Sequence, residues 1–384
     1  MTTVVVSGAV ANKHRHGGSA WVRMSWAEGL RSLGFDVLFV EQLDAAHAVG
    51  AGGRPATFAD SANAAAFDAT MKAFGFTGSA ALVSADGTQI RGMAHAELHD
   101  RMRDAALLVN ITGHLRRPEL LALPRRRAFV DLDPGYTQVW LAEGHDVGAG
   151  GHDLRFTVGA NIGTARCELP SGGVRWRAIR QPVVLERWPV VDAPFTRFTT
   201  VGSWRGAYGP ISWRGRTYGV KAHEFRALAD VPQRAGLPFE VVLDLHAADE
   251  ADAVRLRAGG WTTLAPEVAR DTGAFARYVR GSGAEFSAAQ GVYVHTRSGW
   301  CSDRTVRYLA SGRPALVQDT GLGDTLPVGE GLLTFSTPQE AVRRAQALVA
   351  DHARHSAAAR RIAEQHFAPA SALAPLLDAA EIAP

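Results

Sequence analysis

Short apolar runs alternate with segments of helical periodicity along most of this chain. The first run, residues 3–6, is typical of a buried parallel strand, and residues 36–40 form a second such run. Between them apolar residues recur at helical spacing, with Ser19 as the expected N-cap and Gly34 as the stop. Strands that alternate with helices in this way build parallel sheets, so the pattern predicts an α/β fold.

The alternation restarts near the middle of the 384 residues. Pro182, Pro189 and Pro194 lie in a largely extended segment, after which residues 198–203 repeat the character of the opening strand. Other strands are predicted in the first half at residues 106–111, 128–132 and 154–158. The second half is predicted to hold strands at residues 240–245, 261–264, 292–295 and 315–318, and helices at residues 220–235, 251–258, 272–281 and 302–311.

These patterns predict two Rossmann-like domains whose parallel sheets face each other across a cleft, with a helical C-terminal segment. The expected boundaries are residues 1–182 for the first domain, 183–195 for a linker, 196–365 for the second domain, and 366–384 for a C-terminal helix that packs back on the first domain. Ligands of such folds bind at the carboxyl ends of the strands, so we expect the site in the cleft, closed by motion about the linker.

Charge and cysteine content exclude several classes of function. The net charge is +3 and no block of like charges is long enough to wrap a nucleic acid, so we expect no nucleic-acid partner. Of the 41 basic residues only Lys13, Lys72 and Lys221 are lysines. Two cysteines and no apolar stretch of membrane-spanning length favour a cytoplasmic protein with no membrane span. We expect a monomer or a homodimer.

Residues 292–319 form the most informative segment. A predicted strand ends near residue 295, a turn with Arg297 and Gly299 follows, and a helix begins near Ser302. Unpaired N–H groups at a helix start bind diphosphates, and Arg297 and Arg304 flank this one. The next strand brings Gln318 and Asp319 to the same edge, where an amide and a carboxylate suit sugar hydroxyls.

This segment resembles the donor-binding half of a GT-B glycosyltransferase. Residues 297–302, RSGWCS, resemble the His-Cys-Gly-Trp-Asn-Ser element of nucleotide-sugar-dependent transferases, and residues 309–316 resemble the helix end, Gly-x-Pro and strand that follow it there. The resemblance implies that the second domain binds the nucleotide sugar and the first the acceptor. It also implies donor contacts from Ser298, Gly299, Trp300, Ser302, Gln318 and Asp319. Arg297 replaces the family histidine, so a guanidinium would make that phosphate contact.

Three further segments carry the resemblance. The opening SGAVANKHRHGGSAW is similar to the glycine-rich loop after the first GT-B strand, which implies that Gly17 and Gly18 face the donor. Residues 130–135 and 159–163 resemble a poorly characterised bacterial group of glycosyltransferase-like proteins. Asn161, in residues 159–163, suits either a turn or a ligand contact.

An aromatic and basic loop follows the first strand of the second domain and includes Trp204, Arg205 and Tyr218. Its side chains could stack on the donor or the acceptor, or they could pack at the surface.

Inverting sugar transfer needs a general base. His16 is the leading candidate because its loop points into the cleft, and Asp133 and His114, both just after predicted strands, are the rivals. The Asp131-x-Asp133 pair also matches the metal motif of GT-A transferases, but Asp133 suits an Asp-Pro-Gly turn better, so no metal is expected.

The sequence therefore predicts a metal-independent glycosyltransferase without a cofactor. It would move a sugar from a nucleotide-diphosphate donor to a small-molecule acceptor, a natural product or metabolite. The alternatives are a GT-B-fold sugar-nucleotide epimerase or hydrolase and a catalytically silent nucleotide-sugar-binding protein. Glu41 is placed where a Rossmann dehydrogenase would bind the nicotinamide ribose, but the Gly-x-Gly-x-x-Gly turn that should precede it is missing. The sequence also has no Gly-x-x-x-x-Gly-Lys-Ser/Thr loop for ATP.

Overall fold

The computed structural model describes the backbone of residues 1–384 and every side chain except that of Ala45. The first half forms a sheet of eight strands: β1 (Thr3–Ser7), β2 (Asp36–Leu43), β3 (Ala80–Ser84), β4 (Ile90–Arg91), β5 (Leu107–Ile111), β6 (Arg126–Asp131), β7 (Leu154–Thr157) and β8 (Arg177–Ala178). Their order is β4-β3-β2-β1-β5-β6-β7-β8, antiparallel at β3–β4 and parallel at the other pairs. The helices are α1 (Gly17–Ser32), α2 (Ala62–Phe74), α3 (His95–Asp104), α4 (Pro118–Leu121) and α5 (Tyr136–Ala142).

The second half forms a parallel six-stranded sheet and a small hairpin. The strands are β9 (Phe198–Ser203), β10 (Ile211–Trp213), β11 (Arg216–Tyr218), β12 (Phe239–Asp244), β13 (Trp261–Leu264), β14 (Ala284–Ser287), β15 (Ala315–Gln318) and β16 (Leu332–Phe335). The sheet order is β13-β12-β9-β14-β15-β16, and β10 pairs with β11 outside it. The helices are α6 (Lys221–Ala227), α7 (Val231–Ala235), α8 (Glu250–Ala258), α9 (Thr272–Arg280), α10 (Gly291–His295), α11 (Asp303–Ala310), α12 (Pro338–Ala350), α13 (His352–His366) and α14 (Pro369–Ala380).

The strand order of each sheet reverses beside its central strand. In the first sheet β1 lies between β2 and β5, and in the second β9 lies between β12 and β14. Val4, Val5 and Val6 are fully buried in β1, as expected of a strand covered by helices on both faces. Because connections leave opposite sides of a sheet at such a reversal, a crevice opens at the carboxyl ends of the strands.

Contacts between the halves are extensive. Trp188, in the segment between the two sheets, is fully buried and lies 4.7 Å from the ring of Trp21 and 6.3 Å from that of Phe275. The Trp21 indole also donates to the carbonyl of Thr272, 2.8 Å away. The last helix, α14, contacts α1 and β7 of the first half. None of the described helices is long and apolar enough to span a membrane.

One strand prediction is wrong. Residues 291–295 form the short helix α10, and the strand of this region is β14, with the sequence Ala-Glu-Phe-Ser. The sequence pattern does not reveal β14, because the carboxylate of Glu285 lies within this four-residue strand and interrupts its apolar pattern. The structure tolerates this charge because the Arg304 guanidinium donates to it at 2.7 Å, and both side chains are buried.

Two helix predictions differ in their ends. The N-cap of α1 is His16 rather than Ser19, so the helix begins three residues earlier than expected. The predicted helix at residues 220–235 is two helices, α6 and α7, because Pro232 lies in the first turn of α7 and has no N–H to continue a helix.

Candidate functional site

A cavity of about 510 Å³ lies between the two sheets at the carboxyl ends of their strands. Its first wall consists of Lys13, the start of α1 and Asp133, and its second wall of the ends of β9 and β12 with the starts of α6 and α11. We call this cavity the cleft. Its size and its place between two α/β sheets are those of a small-molecule site.

A short helical turn, Ala11–Lys13, places Lys13 in the cleft. The buried carboxylate of Glu41, in β2, accepts hydrogen bonds from the backbone N–H of Ala11 at 2.8 Å and of Asn12 at 2.9 Å. His114 Nε2 lies 3.0 Å from the Asn12 amide nitrogen, and burial lowers the pKa of His114 to about 4. His114 is absent from the described wall of the cleft and supports this turn, so the structure does not place it as a general base.

Arg23 is a buried guanidinium in the cleft wall with almost no partners. The side chain is 6% exposed, its Nε has no hydrogen-bond partner, and one Nη lies 3.4 Å from the carbonyl of Ser19. Among the described residues no carboxylate lies within ion-pair distance of it. Burying an unpaired charge is unfavourable unless a ligand supplies the opposite charge. Arg23 therefore points to an anionic ligand.

Two lysines add positive charge from opposite walls. The charge of Arg23, with burial, lowers the pKa of Lys13 to about 8, and burial, with the charge of Arg304, lowers the pKa of Lys221 to about 8. Gly202, at the end of β9, leaves room for Lys221, because a Cβ atom there would lie 3.2 Å from Lys221 Nζ. At neutral pH both lysines are mostly protonated, although their pKa values lie close to that pH. A bound anion would stabilise the protonated forms.

Sequence reasoning missed Arg23, Lys13 and Lys221 as site residues. The rarity of lysine was the one signal in the sequence, because the other basic residues are arginines. Two of the three lysines line the cleft. The compact ammonium group binds phosphate as a point charge and loses its proton more readily when buried, so arginine does not replace it equivalently.

Arg304 lines the cleft, but its guanidinium already makes hydrogen bonds to other groups of the protein. Besides Glu285, it donates to the carbonyl of Val201 at 2.6 Å and to Ser287 Oγ. Since Glu285 balances its charge, Arg304 contributes less free positive charge than Arg23 or the two lysines. Its predicted contact with a donor stays a prediction.

Arg297 lies away from the cleft, contrary to expectation. It is half exposed and forms ion pairs with Asp319 at 3.5 Å and Asp324 at 3.3 Å, which neutralise its charge. The reason is the helical conformation of residues 291–295, which sends the following turn toward the loop after β7 instead of along a strand.

The rest of the predicted diphosphate turn holds the two halves together. The Asn161 amide donates to the carbonyls of Arg297 at 3.0 Å and Gly321 at 3.3 Å and to Asp324 at 3.0 Å. A Cβ at Gly299 would lie 2.9 Å from the Asn161 backbone nitrogen, so this close approach needs glycine. Asn161, Gly299 and the buried Ser298 are therefore interdomain contacts rather than part of the cleft wall.

Three polar side chains predicted to contact the donor make hydrogen bonds within the protein instead. Gln318 accepts from the backbone of Ala289 at 3.1 Å and donates to Glu224 at 2.8 Å, and Asp319 caps the N–H of Gly321. Ser302 is the N-cap of α11, where its hydroxyl accepts from the backbone of Arg304. None of these three lies among the described residues of the cleft wall.

The aromatic loop after β9 also differs from expectation. Trp204 is fully buried and donates to Asp252, Arg205 pairs with Asp249 at 2.8 Å, and Tyr218 is buried in the hairpin. Trp204 and Tyr218 pack the second half, Arg205 is exposed, and none of the three lines the cleft. Trp300 does line it, with its ring 4.6 Å from that of Tyr293.

Gly17 and Gly18 lie where α1 meets α9. A Cβ at Gly17 would lie 2.3 Å from the carbonyl oxygen of Asp271, and one at Gly18 would lie 3.1 Å from the ring of Phe275. Both glycines also line the cleft. The close packing leaves no room for a side chain, and the backbone at these positions is accessible to a ligand.

The structure brings two of the three candidate bases into the cleft. His16 precedes α1, and burial and the charge of Lys13 lower its pKa. Asp133 follows β6, and burial raises its pKa while Lys13 and Arg23 oppose that rise. The Tyr293 hydroxyl donates to Asp133 at 3.3 Å.

Asp131 positions Asp133 and is not free to bind a metal. Its buried carboxylate accepts from the Asp133 backbone at 2.9 Å, Thr137 at 2.6 Å, Gln138 at 2.8 Å and Thr157 at 2.7 Å. Among the described residues no group of three or more His, Cys, Asp and Glu side chains is arranged to hold a metal ion.

No family model and no curated protein matches this sequence. Solved structures match it over its full length. Anabaena HepE in complex with UDP and glucose is 12% identical, with a TM-score of 0.56 over 99% of this chain and 100% of that chain. An alpha-glucosyltransferase in complex with UDP is 10% identical, with a TM-score of 0.59 over 100% of both chains, and it has also been solved with UDP and a 13-mer DNA. The predicted GT-B fold is thus confirmed.

Proposed function

We propose that this chain is a glycosyltransferase that takes a sugar from a nucleoside-diphosphate donor bound in the cleft. The observation that carries the proposal is Arg23, a buried cation without a carboxylate partner, together with Lys13 and Lys221 around the same cavity. These charges suit a diphosphate, whose negative charge increases as the bond to the sugar breaks. The shared fold with HepE, solved with UDP and glucose, and with an alpha-glucosyltransferase solved with UDP supports this choice of ligand.

We further propose that the reaction needs no metal ion, because side chains from both walls can neutralise the diphosphate. The acceptor is a small molecule in this proposal. The two remaining bases, His16 and Asp133, lie in the first wall and suit the acceptor side of the reaction.

Incubation with UDP-glucose and related nucleotide sugars tests the proposal. We expect UDP release that depends on an added acceptor, with the sugar recovered on that acceptor, and unchanged rates in EDTA. Turnover without an acceptor would indicate an epimerase or hydrolase instead. Thermal stabilisation by the nucleotide sugar without any turnover would indicate a silent binding protein.

The two lysines predict a pH dependence of nucleotide binding. Both have a pKa of about 8, so they carry positive charge below that pH and lose it as the pH rises through it. A diphosphate binds the charged forms better, so UDP affinity should fall roughly tenfold or more between about pH 7 and pH 9. Calorimetric titration with UDP at several pH values measures this.

Lysine variants provide the matched control. Lys13→Met and Lys221→Met should each weaken UDP binding at pH 7 and flatten its pH dependence. Lys72→Met, at the exposed lysine of α2, should change neither. If all three variants keep the pH dependence of the unaltered protein, the lysines do not bind the diphosphate.

A further inference from the structure

A second cavity, of about 380 Å³, adjoins the cleft on the side of the first sheet. Phe129, Trp140 and Tyr208 supply aromatic rings to its wall, and Thr112 and Thr137 supply hydroxyls. We call it the aromatic pocket. Aromatic walls with a few polar groups in a volume of this order are typical of sites for small organic ligands.

Asp133 is the one described residue that lines both the aromatic pocket and the cleft. His16 lines the cleft alone. A ligand in the aromatic pocket and a nucleotide sugar in the cleft would therefore meet at the Asp133 carboxylate. This is the position that a group between a donor and an acceptor must occupy.

Both halves of the chain build the aromatic pocket. Tyr208 reaches over from the loop after β9, and its ring lies 4.9 Å from Trp140, nearly perpendicular to it, and 5.1 Å from Tyr136. Tyr208 is 39% exposed, so part of its ring is open to a ligand. Burial and the charge of Asp133 raise its pKa to about 12, which keeps its hydroxyl neutral.

The backbone beside the pocket is strained. Thr112, at the end of β5, has φ of 57°, a left-handed conformation that β-branched residues rarely adopt. The hydrogen bond from its N–H to the carbonyl of Val130, 2.8 Å long, holds it there. Such strain persists where the surrounding structure imposes it and is concentrated at ligand sites.

The charges of the wall argue against a phosphate-bearing acceptor. Arg116 pairs with Asp146 at 3.0 Å, and Asp133 adds a negative charge. A nucleic acid needs cations that are free to contact phosphate oxygens. The pocket offers aromatic faces instead, which favour a flat, uncharged ring system.

We propose, on the basis of the glycosyltransferase function proposed above, that the aromatic pocket binds the acceptor, a planar aromatic compound whose hydroxyl group hydrogen-bonds to Asp133. In the transfer, the acceptor oxygen forms a bond to the anomeric carbon and its proton passes to the Asp133 carboxylate. The bond between the anomeric carbon and the donor phosphate breaks, and its electron pair leaves with the nucleoside diphosphate.

The planar phenol 4-methylumbelliferone, added to the UDP-loaded protein, tests the inference. We expect saturable binding by fluorescence titration, and glycosylation when UDP-glucose replaces UDP. Trp140→Ala and Tyr208→Ala should each weaken phenol binding roughly tenfold and leave UDP affinity unchanged. Val254→Ala, which shortens an exposed apolar side chain on α8, is the control and should change neither affinity.

Retained UDP affinity shows that each variant is folded. Absence of phenol binding to the UDP-loaded protein, or unaltered phenol binding in both ring variants, would overturn the inference. Displacement of the bound phenol by a DNA oligonucleotide would overturn it as well. Failure of the unaltered protein to bind any nucleotide would instead defeat the proposed function, so the two failures are distinguishable.

Discussion

Arg23→Met is expected to weaken UDP binding while leaving the protein as stable as before, or making it more stable. The guanidinium is buried and makes one long hydrogen bond, so the folded protein loses little when it is removed. Methionine fills a similar volume without the buried charge. A charge-assisted contact to phosphate contributes about 1.5–3 kcal/mol, so affinity should fall roughly 10–100-fold.

Calorimetry with UDP and thermal unfolding measure the two effects. Arg313→Met is the matched control, because Arg313 is also buried but donates to the carbonyls of Arg280 and Ala193, away from the cleft. That variant should lower stability by about 1–3 kcal/mol and keep UDP affinity, since it leaves two part-buried carbonyls without their donor. UDP affinity that is unchanged in Arg23→Met would show that the buried charge does not serve the nucleotide.

Asp133→Asn is expected to reduce kcat on the order of 10²–10⁴-fold, the usual contribution of a general base. UDP affinity should stay the same or increase, because the change removes a negative charge near Lys13 and Arg23. Asparagine still accepts the Tyr293 hydrogen bond, so the fold should persist. Single-turnover rates with UDP-glucose and 4-methylumbelliferone, compared with UDP titrations, separate the two effects.

The pH profile gives a second measure of Asp133. A general base must be deprotonated, and burial raises the pKa of Asp133. The rate should therefore be low below that raised pKa and should increase as the pH rises through it. His16→Ala is the comparison, because His16 is the other base in the cleft and its pKa is lowered. Full activity in Asp133→Asn together with its loss in His16→Ala would assign the base to His16.

The alternation of strands and helices was enough to predict the fold. Of the strands predicted for the second half, β13 and β15 have the predicted ends, because each is a short stretch of mainly apolar or β-branched residues that starts directly after a Gly or a Pro. β14 was missed because it carries Glu285, whose charge is balanced by Arg304 on the following helix. Local patterns cannot register a partner that becomes a neighbour only after folding.

The candidate site was predicted less well. The loop after β1 and Asp133 after β6 were located, because position at the carboxyl end of a strand follows from the strand pattern. The charge of Arg297 and its place before a helix predict a phosphate contact, yet Asp319 and Asp324 neutralise it. The sequence pattern does not single out Arg23, because one arginine among the apolar residues of α1 resembles the solvent-facing side of any amphipathic helix.

Local periodicity is enough to specify the α/β architecture, the similar pattern of the two halves and the edge of each sheet where a ligand can bind. Which charges remain available at that edge depends on contacts between distant parts of the chain. Trp21 donates to Thr272, 251 residues away in the chain, and such contacts bring the walls of the cleft together. Whether a buried cation is neutralised depends on the distance to the nearest carboxylate, and folding sets that distance.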